Sequence, residues 1–389
     1  MSAAPHASTR AARTGNDEFL LTPGPLTTSL SVKQAMLRDW GSRDKQFIAL
    51  NARIRDKLVD IAGGGGDYVC VPVQGSGTFA VEATLGTMLP RDGKLLVLVN
   101  GAYGERMMKI AKYLGRPAVA LSCAEDRVPD LTSLETLLAE DKAITHIAAV
   151  HCETTSGILN PIREIADIVA KHGRSLIIDA MSAFGAIPLD VREVTCDAVV
   201  ASSNKFLEGV PGMGYAIVRR TALEKCEGNA HSLALDIYDQ WRGFEANAQW
   251  RFTPPTHVLA AFDQAVAEFE EEGGVPARNG RYSENCRTLV NGMRGMGFET
   301  LLPDDLQAPI IVTFHMPADP RFDFAAFYDK LAARGYVIYP GKLTVAPTFR
   351  IGCIGQMVKG DLEAALAVIQ EVLGDMGVTQ CGPSASAAE

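Results

Sequence analysis

The strongest constraint on the fold is an alternation of short apolar segments with longer helical segments, which begins near residue 68. The short segments have the length of strands, and most are apolar throughout rather than at every second position. They are Tyr68–Val73, Leu95–Val99, Ala118–Leu121, His146–Val150, Ser175–Ile178, Ala198–Ala201 and Tyr215–Val218. Strands of this kind are typical of a parallel sheet that helices cover on both faces. The sequence therefore predicts an α/β fold with a mostly parallel, doubly wound sheet.

Capping residues predict where two of the intervening helices begin. Asp130 is placed to cap a helix over Leu131–Ala139, because a short acidic side chain can accept hydrogen bonds from the first free amides of a helix. Asn160 is placed to cap a second helix that ends at Lys171. Pro161 would occupy the first turn of that helix, where its missing amide hydrogen costs nothing.

The pattern changes near residue 255, where two long helical segments follow each other over Pro255–Glu272 and Pro276–Met296. Shorter strands and helices come after them, which predicts a smaller α+β domain at the C-terminal end. We expect a large domain over 28–265 and a small domain over 266–378. Residues 1–16 and 379–389 are expected to form disordered tails.

Composition excludes several classes of protein. The 389 residues include 37 Lys and Arg against 46 Asp and Glu, a net charge of −9, which disfavours non-specific nucleic-acid binding. No run approaches the ~18 apolar residues of a membrane span. Eight scattered cysteines without CxxC or zinc spacing indicate a reduced, cytoplasmic protein with no metal site. Residues 1–16 lack the apolar core of a secretory signal, and a transit peptide is the alternative to a plain tail.

The first motif with chemical content is Gln74-Gly-Ser-Gly-Thr78, between a predicted strand and a predicted helix. Such a turn directs amides and hydroxyls toward an anion at the helix N-terminus, so it predicts a phosphate site. The alternative is a dinucleotide site, which needs an acidic residue at the end of the next strand. That strand ends Val99-Asn100-Gly101, without an acid, so a single phosphate group is favoured.

Two further residues follow buried strands, Asp179 after Ser175–Ile178 and Lys205 after Ala198–Ala201. Taken singly, Asp179 could be a turn cap and Lys205 a surface lysine. With the phosphate site they form the set that pyridoxal phosphate requires: an anion cradle, an acid for the pyridine nitrogen, and an amine for the aldehyde. This combination predicts a pyridoxal-phosphate enzyme.

From about Phe19 to Leu373 the chain resembles the class V, fold-type I pyridoxal-phosphate aminotransferases. The resemblance is carried by the segments Leu21-Thr-Pro-Gly-Pro-Leu-Thr-Thr28, Gln74-Gly-Ser-Gly-Thr78, Asn100-Gly-Ala-Tyr-Gly104, His151-Cys-Glu-Thr-Thr-Ser-Gly157, Ile178-Asp-Ala180, Ser203-Asn-Lys205, His231-Ser-Leu-Ala-Leu-Asp-Ile-Tyr238, Trp250-Arg-Phe-Thr-Pro254, Val337-Ile-Tyr-Pro-Gly341 and Phe349-Arg-Ile-Gly352. It implies that the large domain binds pyridoxal 5'-phosphate and that residues 17–27 lie at the active site.

The resemblance also implies a role for each matching residue. Lys205 is the Schiff-base lysine and Asp179 contacts the pyridine nitrogen. The remaining expected contacts are Ser76, Gly77 and Thr78 with the cofactor phosphate, Tyr103 stacked on the ring, Thr154 at the ring hydroxyl, Arg350 on the acidic group of the substrate, and Thr253 on the phosphate of the partner subunit's cofactor. The last contact implies a homodimer with its active sites at the interface.

The segments around His231, Trp250 and Tyr339 resemble the branch of the family that acts on phosphonates. This implies transamination of 2-aminoethylphosphonate with pyruvate, giving phosphonoacetaldehyde and L-alanine. Arg43 stands where that branch would have an aromatic residue, and it could supply a second cation for an acidic substrate. The alternatives are a transaminase of the alanine–glyoxylate or serine–pyruvate type, and a lyase of the cysteine-desulfurase type, for which Cys353 would have to be a mobile nucleophile.

Overall fold

The computed structural model describes residues 17–340 and 346–383. Its strands are β1 (Phe19–Leu20), β2 (Tyr68–Gln74), β3 (Lys94–Val99), β4 (Ala118–Ser122), β5 (Ile144–Val150), β6 (Cys152–Glu153), β7 (Ile158–Leu159), β8 (Ser175–Asp179), β9 (Ala198–Ser202), β10 (Met213–Arg219), β11 (Ile311–His315), β12 (Tyr336–Val337), β13 (Tyr339–Pro340) and β14 (Thr348–Gly352). The expected tail over 1–16, residues 384–389 and Gly341 of the Val337–Gly341 motif lie outside the described residues.

The helices are α1 (Leu30–Gln34), α2 (Lys45–Ile61), α3 (Gly77–Met88), α4 (Ala102–Tyr113), α5 (Leu131–Glu140), α6 (Ile162–Lys171), α7 (Arg220–Leu223), α8 (Ile237–Asn247), α9 (Thr256–Glu272), α10 (Gly274–Gly295), α11 (Phe324–Ala332) and α12 (Lys359–Met376). Their order reproduces the predicted alternation of strands and helices, followed by the long pair α9 and α10.

A seven-stranded sheet in the order β2-β10-β9-β8-β5-β3-β4 is built from strands within residues 68–219. Alternate residues of its strands enter two separate apolar clusters, so that Leu96 and Leu98 of β3 face one side and Leu95, Val97 and Val99 face the other. Residues of α3, α4 and α8 complete one cluster, and residues of α2, α5, α6 and α9 complete the other. The sheet is therefore buried on both faces, which confirms the predicted α/β, doubly wound architecture.

One strand of this sheet runs against the rest. β10 is antiparallel to both of its neighbours, β2 and β9, whereas the other neighbouring pairs are parallel. The apolar pattern of Tyr215–Val218 predicts a parallel strand like the others, and that prediction is wrong. The reason is the connection: β9 and β10 are joined by residues 203–212 without a crossover helix, and a direct return produces an antiparallel pair.

The two capping predictions have different outcomes. The Asp130 carboxylate accepts from the amides of Thr132 and Ser133, as predicted for the start of α5. The predicted cap of α6 is wrong, because Pro161 takes the N-cap position. The Asn160 side chain donates instead to the Val150 carbonyl and pairs with Asn100, so it joins two strand ends and does not cap the helix.

A second, antiparallel sheet has the order β11-β14-β13. Helices α10 and α12 pack on each other and α11 packs on α12. Near the end of the chain, Asp319 accepts from the amides of Thr379 and Gln380, and Gly382 accepts from Ala318. The tail expected over 379–389 is thus anchored at residues 379–382.

None of the helices in 17–340 and 346–383 combines the length and apolar composition needed to cross a bilayer.

Candidate active site

A pocket opens at the edge of the sheet where the parallel strands β2, β8 and β9 have their carboxyl ends. The space within it, including open solvent at its mouth, is about 610 Å³. The pocket is lined by Ser76, Gly77, Thr78, Val81, Tyr103, Arg106, Met107, Asp179, Met181, Ser202, Asn204 and Lys205. Ligands bind at this edge in open α/β sheets because the loops after parallel strands converge there.

The predicted phosphate cradle forms one wall of the pocket. Ser76 stands at the N-cap position of α3 with an extended backbone, and Gly77 and Thr78 form the first turn of that helix. A Cβ atom on Gly77 would lie 2.5 Å from the Met181 sulfur, so a side chain at this position would displace the floor of the pocket. The helix N-terminus therefore presents amides and two hydroxyls to the pocket, which suits an anion.

Asp179 is the last residue of β8, and its side chain points into the pocket. One carboxylate oxygen accepts from the Met181 amide at 3.0 Å. Burial raises the pKa of this carboxyl to about 6, although the Met181 amide and the charges of Arg106 and Lys205 act in the opposite direction. A buried carboxylate that is poised in this way is stabilised by any cationic group that enters the pocket.

Lys205 lies in the segment that joins β9 to β10, and its amine enters the same pocket. Burial lowers the pKa of the amine to about 8, with Asp179 partly opposing the shift. The amine donates a 2.7 Å hydrogen bond to the Pro23 carbonyl. A Cβ atom on Gly24 would lie 2.9 Å from Lys205 Cδ, so the segment over 17–27, expected at the site, packs directly on the lysine.

Tyr103 and Arg106 supply a second wall of the pocket from the first two turns of α4. The Arg106 guanidinium lies 4.7 Å from the centre of the Tyr103 ring and donates to the Thr78 hydroxyl at 3.1 Å. Sequence reasoning missed Arg106. The signal was its position three residues after Tyr103, which places both side chains on one face of a helix.

Thr154 and Arg350 lie outside the group of residues that line the pocket. Both are buried, and Arg350 donates to the Thr154 carbonyl at 3.0 Å. The Arg350 guanidinium also lies 5.0 Å from the centre of the Tyr339 ring, and burial lowers its pKa. The Thr154 hydroxyl is 2.6 Å from that of Ser182. The charge of Arg350 nonetheless acts on the amine of Lys205, so the arginine lies near the pocket.

Thr253 and Arg43 are both exposed in the single chain, and neither is among the residues that line the pocket. The pocket of one chain therefore contains no contribution from Thr253. Cys353 is buried, and burial raises the pKa of its thiol well above the usual value. A thiol in that state is a poor nucleophile, which argues against the lyase alternative.

A buried ionic cluster that sequence reasoning missed lies behind Lys205. Glu208 accepts from Arg281 at 2.7 Å and from the Tyr282 hydroxyl, while Arg278 donates to the Phe206 carbonyl. Burial opposes the charge of Glu208, but the two arginines outweigh it and hold the pKa of the carboxyl below its usual value. The cluster ties the lysine segment to α10, about 70 residues later in the chain.

Comparison with known proteins decides the family. The family described as aminotransferase class-V matches residues 29–359. A protein of Burkholderia lata named 2-aminoethylphosphonate–pyruvate transaminase 2 is 55% identical over 369 residues, which are 95% of this chain and 98% of the relative. The chain belongs to the class V aminotransferases. Another member, a 2-aminoethylphosphonate–pyruvate transaminase of Pseudomonas putida, is 54% identical over 93% of this chain and 99% of its own.

Solved structures of other aminotransferases share the fold of this class V aminotransferase. Pyridoxamine–pyruvate aminotransferase from Mesorhizobium loti is 24% identical, with a TM-score of 0.85 over 94% of each chain. Alanine–glyoxylate aminotransferase from Nostoc sp. is 22% identical, with a TM-score of 0.85 over 96% of this chain and 98% of its own. These structures support the predicted fold-type I architecture.

The cofactor of class V aminotransferases is pyridoxal phosphate, and the pocket fits it. The turn at Ser76, Gly77 and Thr78 presents the N-terminus of α3 to the pocket, where a phosphate group can bind. Burial raises the pKa of the Asp179 carboxyl and lowers the pKa of the Lys205 amine, so the amine is partly unprotonated near neutral pH. These groups match the phosphate, ring nitrogen and aldehyde of the cofactor.

Proposed function

We propose that this class V aminotransferase transfers the amino group of 2-aminoethylphosphonate to pyruvate, giving phosphonoacetaldehyde and L-alanine. The observation that carries the choice of substrates is the 53–55% identity, over almost the whole chain, to relatives named for this reaction. The buried arginine near the pocket agrees with it, because both substrates are anions and a guanidinium can hold a phosphonate or a carboxylate through two hydrogen bonds.

Holding the cofactor is the proposed task of six groups. Ser76, Gly77 and Thr78 bind its phosphate, and Tyr103 packs against its ring. Thr154 lies at the ring hydroxyl, and the Asp179 carboxylate accepts a hydrogen bond from the protonated ring nitrogen. When bound, pyridoxal phosphate supplies an aldehyde that links covalently to amines and a ring that withdraws electrons from the neighbouring bonds.

Moving the proton is the proposed task of Lys205. With a pKa of about 8, its amine is partly unprotonated at neutral pH, so it can act as a nucleophile toward the cofactor. Once the donor has displaced it, Nζ can accept a proton from the carbon that bears the donor's amino group. Burial and the neighbouring Asp179 together set the pKa of the amine close to neutral pH, so the amine can both accept and release this proton.

Orienting the substrate is the proposed task of Arg350. Its guanidinium would hold the phosphonate of the donor in one half-reaction and the carboxylate of pyruvate in the other. Contacts with the Thr154 carbonyl and the Tyr339 ring fix its direction. A guanidinium that is already fixed loses little conformational entropy when it binds an anion. The binding energy is therefore available to orient the substrate.

We further propose a homodimer in which Thr253 of each subunit completes the partner's phosphate site, and a location in the cytoplasm. Thr253 is exposed in the single chain, so it is accessible to a partner subunit. All eight cysteines are free, which agrees with a reducing compartment. Mixing Lys205→Ala and Thr253→Ala subunits tests the shared site, since a hybrid dimer would contain one intact site and regain activity.

The test of the proposed reaction is a comparison of amino donors with the purified enzyme. Alanine production from pyruvate is measured with 2-aminoethylphosphonate and with L-serine, and glycine production from glyoxylate is measured with L-alanine. We expect kcat/KM to be highest for 2-aminoethylphosphonate. A higher value for serine or for the alanine–glyoxylate pair would replace this reaction by the corresponding one.

A further inference from the structure

We propose that Glu153 is a positioning residue that, with Thr155, fixes the first turn of α4 and thereby holds Tyr103 and Arg106 at the pocket. The role of Tyr103 at the cofactor ring rests on the proposed function. The contacts of Glu153 themselves are geometric, and they can be tested in the cofactor-free protein.

The first turn of α4 is capped from a distant part of the chain. Helix N-termini leave four amides without partners inside the helix, and a short polar N-cap side chain usually satisfies one of them. Here the N-cap is Gly101, which has no side chain. Glu153 Oε2 instead accepts from the Tyr103 amide at 3.2 Å, and Thr155 Oγ1 accepts from the Ala102 amide at 3.0 Å.

Glu153 and Thr155 also hold each other. Oε1 of Glu153 accepts from the Thr155 amide at 3.1 Å and from the Thr155 hydroxyl at 2.5 Å. Both carboxylate oxygens are thus committed to N–H or O–H donors. The hydroxyl of Thr155 gives its proton to Glu153 and accepts the amide of Ala102, so the two residues act as a single cap.

Space at the start of the helix is shaped around this carboxylate. A Cβ atom on Gly101 would lie 2.5 Å from both Cγ and Cδ of Glu153. The backbone of Gly101 is extended, with φ of 167°, so any residue could adopt its conformation. Glycine is therefore required there for room, because the Glu153 side chain occupies the place of an N-cap side chain.

The Glu153 side chain lies at the positive end of the α4 dipole. The residue is 0% exposed, and the N-terminus of a helix carries partial positive charge that favours an anion. Burial raises the pKa of this carboxyl, while its bonds with Thr155 oppose the shift. The nearby charge of Asp179 acts in the same direction as burial, so Glu153 is also electrostatically connected to the pocket.

The same turn reaches the other side of the site. The Thr154 carbonyl accepts from Arg350 at 3.0 Å, and the Ser156 carbonyl accepts from the Thr313 hydroxyl of β11 at 2.8 Å. Residues 153–156 therefore contact both the start of α4, which carries Tyr103, and the guanidinium of Arg350. A change in Glu153 is expected to disturb the relative placement of these two groups.

Glu153→Gln provides the test, because the amide has nearly the same shape but directs an NH₂ group at one of the N–H donors. In the cofactor-free protein, we expect hydrogen exchange at the amides of Ala102–Gly104 to become roughly tenfold faster or more. We also expect a loss of affinity for pyridoxal phosphate of roughly tenfold. Faster exchange with unchanged affinity would reduce Glu153 to a local cap and overturn the proposal, and so would unchanged exchange.

Three further variants keep the test decisive if Glu153→Gln does not fold. Thr155→Val removes the hydroxyl and should reproduce both effects, while Thr155→Ser retains it and should resemble the wild type. Glu105→Gln, at an exposed carboxylate in the same first turn, should change neither readout. Exchange and cofactor affinity do not depend on the amino donor, so failure of this proposal is distinguishable from a wrong choice of substrates.

Discussion

The amine of Lys205 donates a hydrogen bond to the carbonyl oxygen of Pro23, 2.7 Å away. The two residues are 182 positions apart in the chain, and the contact holds the N-terminal segment against the lysine. A carbonyl acceptor holds the amine in place whether it is protonated or neutral. The amine is thus oriented before any cofactor binds, and its pKa of about 8 determines how much of it can react.

Lys205→Ala should abolish the visible absorbance of cofactor bound to the protein and lower turnover by about 1000-fold or more. In the wild type, borohydride should attach the cofactor irreversibly to the peptide that contains Lys205. Because the pKa is about 8, the rate of cofactor capture should rise with pH up to that value and then level off. Lys225→Ala, at an exposed lysine, should behave as the wild type, and attachment to another lysine would contradict the assignment.

Asp179→Asn should lower turnover by about 100-fold or more and yet stabilise the cofactor-free protein at pH 7. The folded-state pKa is raised to about 6, so the favourable contribution of this group exists at low pH and is lost as pH rises from about 4 to about 6. The shift of about two units corresponds to roughly 3 kcal/mol. Calorimetry at pH 4.5 and 7 should show a clearly larger advantage of the variant at the higher pH; equal advantages would refute the burial argument.

Arg350→Ala should weaken binding of both substrates, raising KM for 2-aminoethylphosphonate and for pyruvate by roughly 100-fold. Arg350→Lys keeps the charge but loses the two-pronged hydrogen bonding, so an intermediate effect is expected. Steady-state kinetics of both half-reactions provide the measurement, and the absorbance of bound cofactor controls for an intact pocket. An unchanged KM for both substrates with cofactor in place would remove Arg350 from the substrate site.

Glu208→Gln should reduce the free energy of unfolding by roughly 3 kcal/mol or more, because it leaves the buried guanidiniums of Arg278 and Arg281 short of a counter-charge. The pKa of Glu208 is lowered in the folded state. The contribution of Glu208 to the free energy of unfolding is therefore present at neutral pH, and it is lost as pH falls through the folded-state pKa of the carboxyl.

The matched control for Glu208 is the ion pair of Arg163 with Glu193, whose side chains are both 58% exposed. Glu193→Gln should change the free energy of unfolding by less than about 1 kcal/mol. Denaturant titrations of both variants give the comparison. If both variants lost a similar free energy of unfolding, burial would not explain the stabilisation by the Glu208 cluster.

The meeting of Ser76, Asp179 and Lys205 at one pocket could be predicted because each follows the end of a strand. Parallel strands place their carboxyl ends at one edge of a sheet, so residues far apart in sequence converge there. The direction of β10 was harder to predict, because its apolar residues suit either direction. The missing helix between Ala201 and Tyr215 was the available signal.

The supporting contacts could not be predicted from local sequence. Glu153 and Glu208 look like ordinary surface carboxylates in the sequence, and their partners on α4 and α10 lie about 50 and 70 residues away. Only the packing of the complete fold brings them together. The misassigned cap at Asn160 has a similar origin, since its side chain found partners on two neighbouring strands.

The direct return from β9 to β10 limits how the lysine can work. Both ends of the segment 203–212 continue into hydrogen-bonded strands, and the Ser203 hydroxyl donates to the Val210 carbonyl across its base. The main chain at Lys205 is consequently clamped, and Nζ must visit its successive positions by torsions about the aliphatic stem alone.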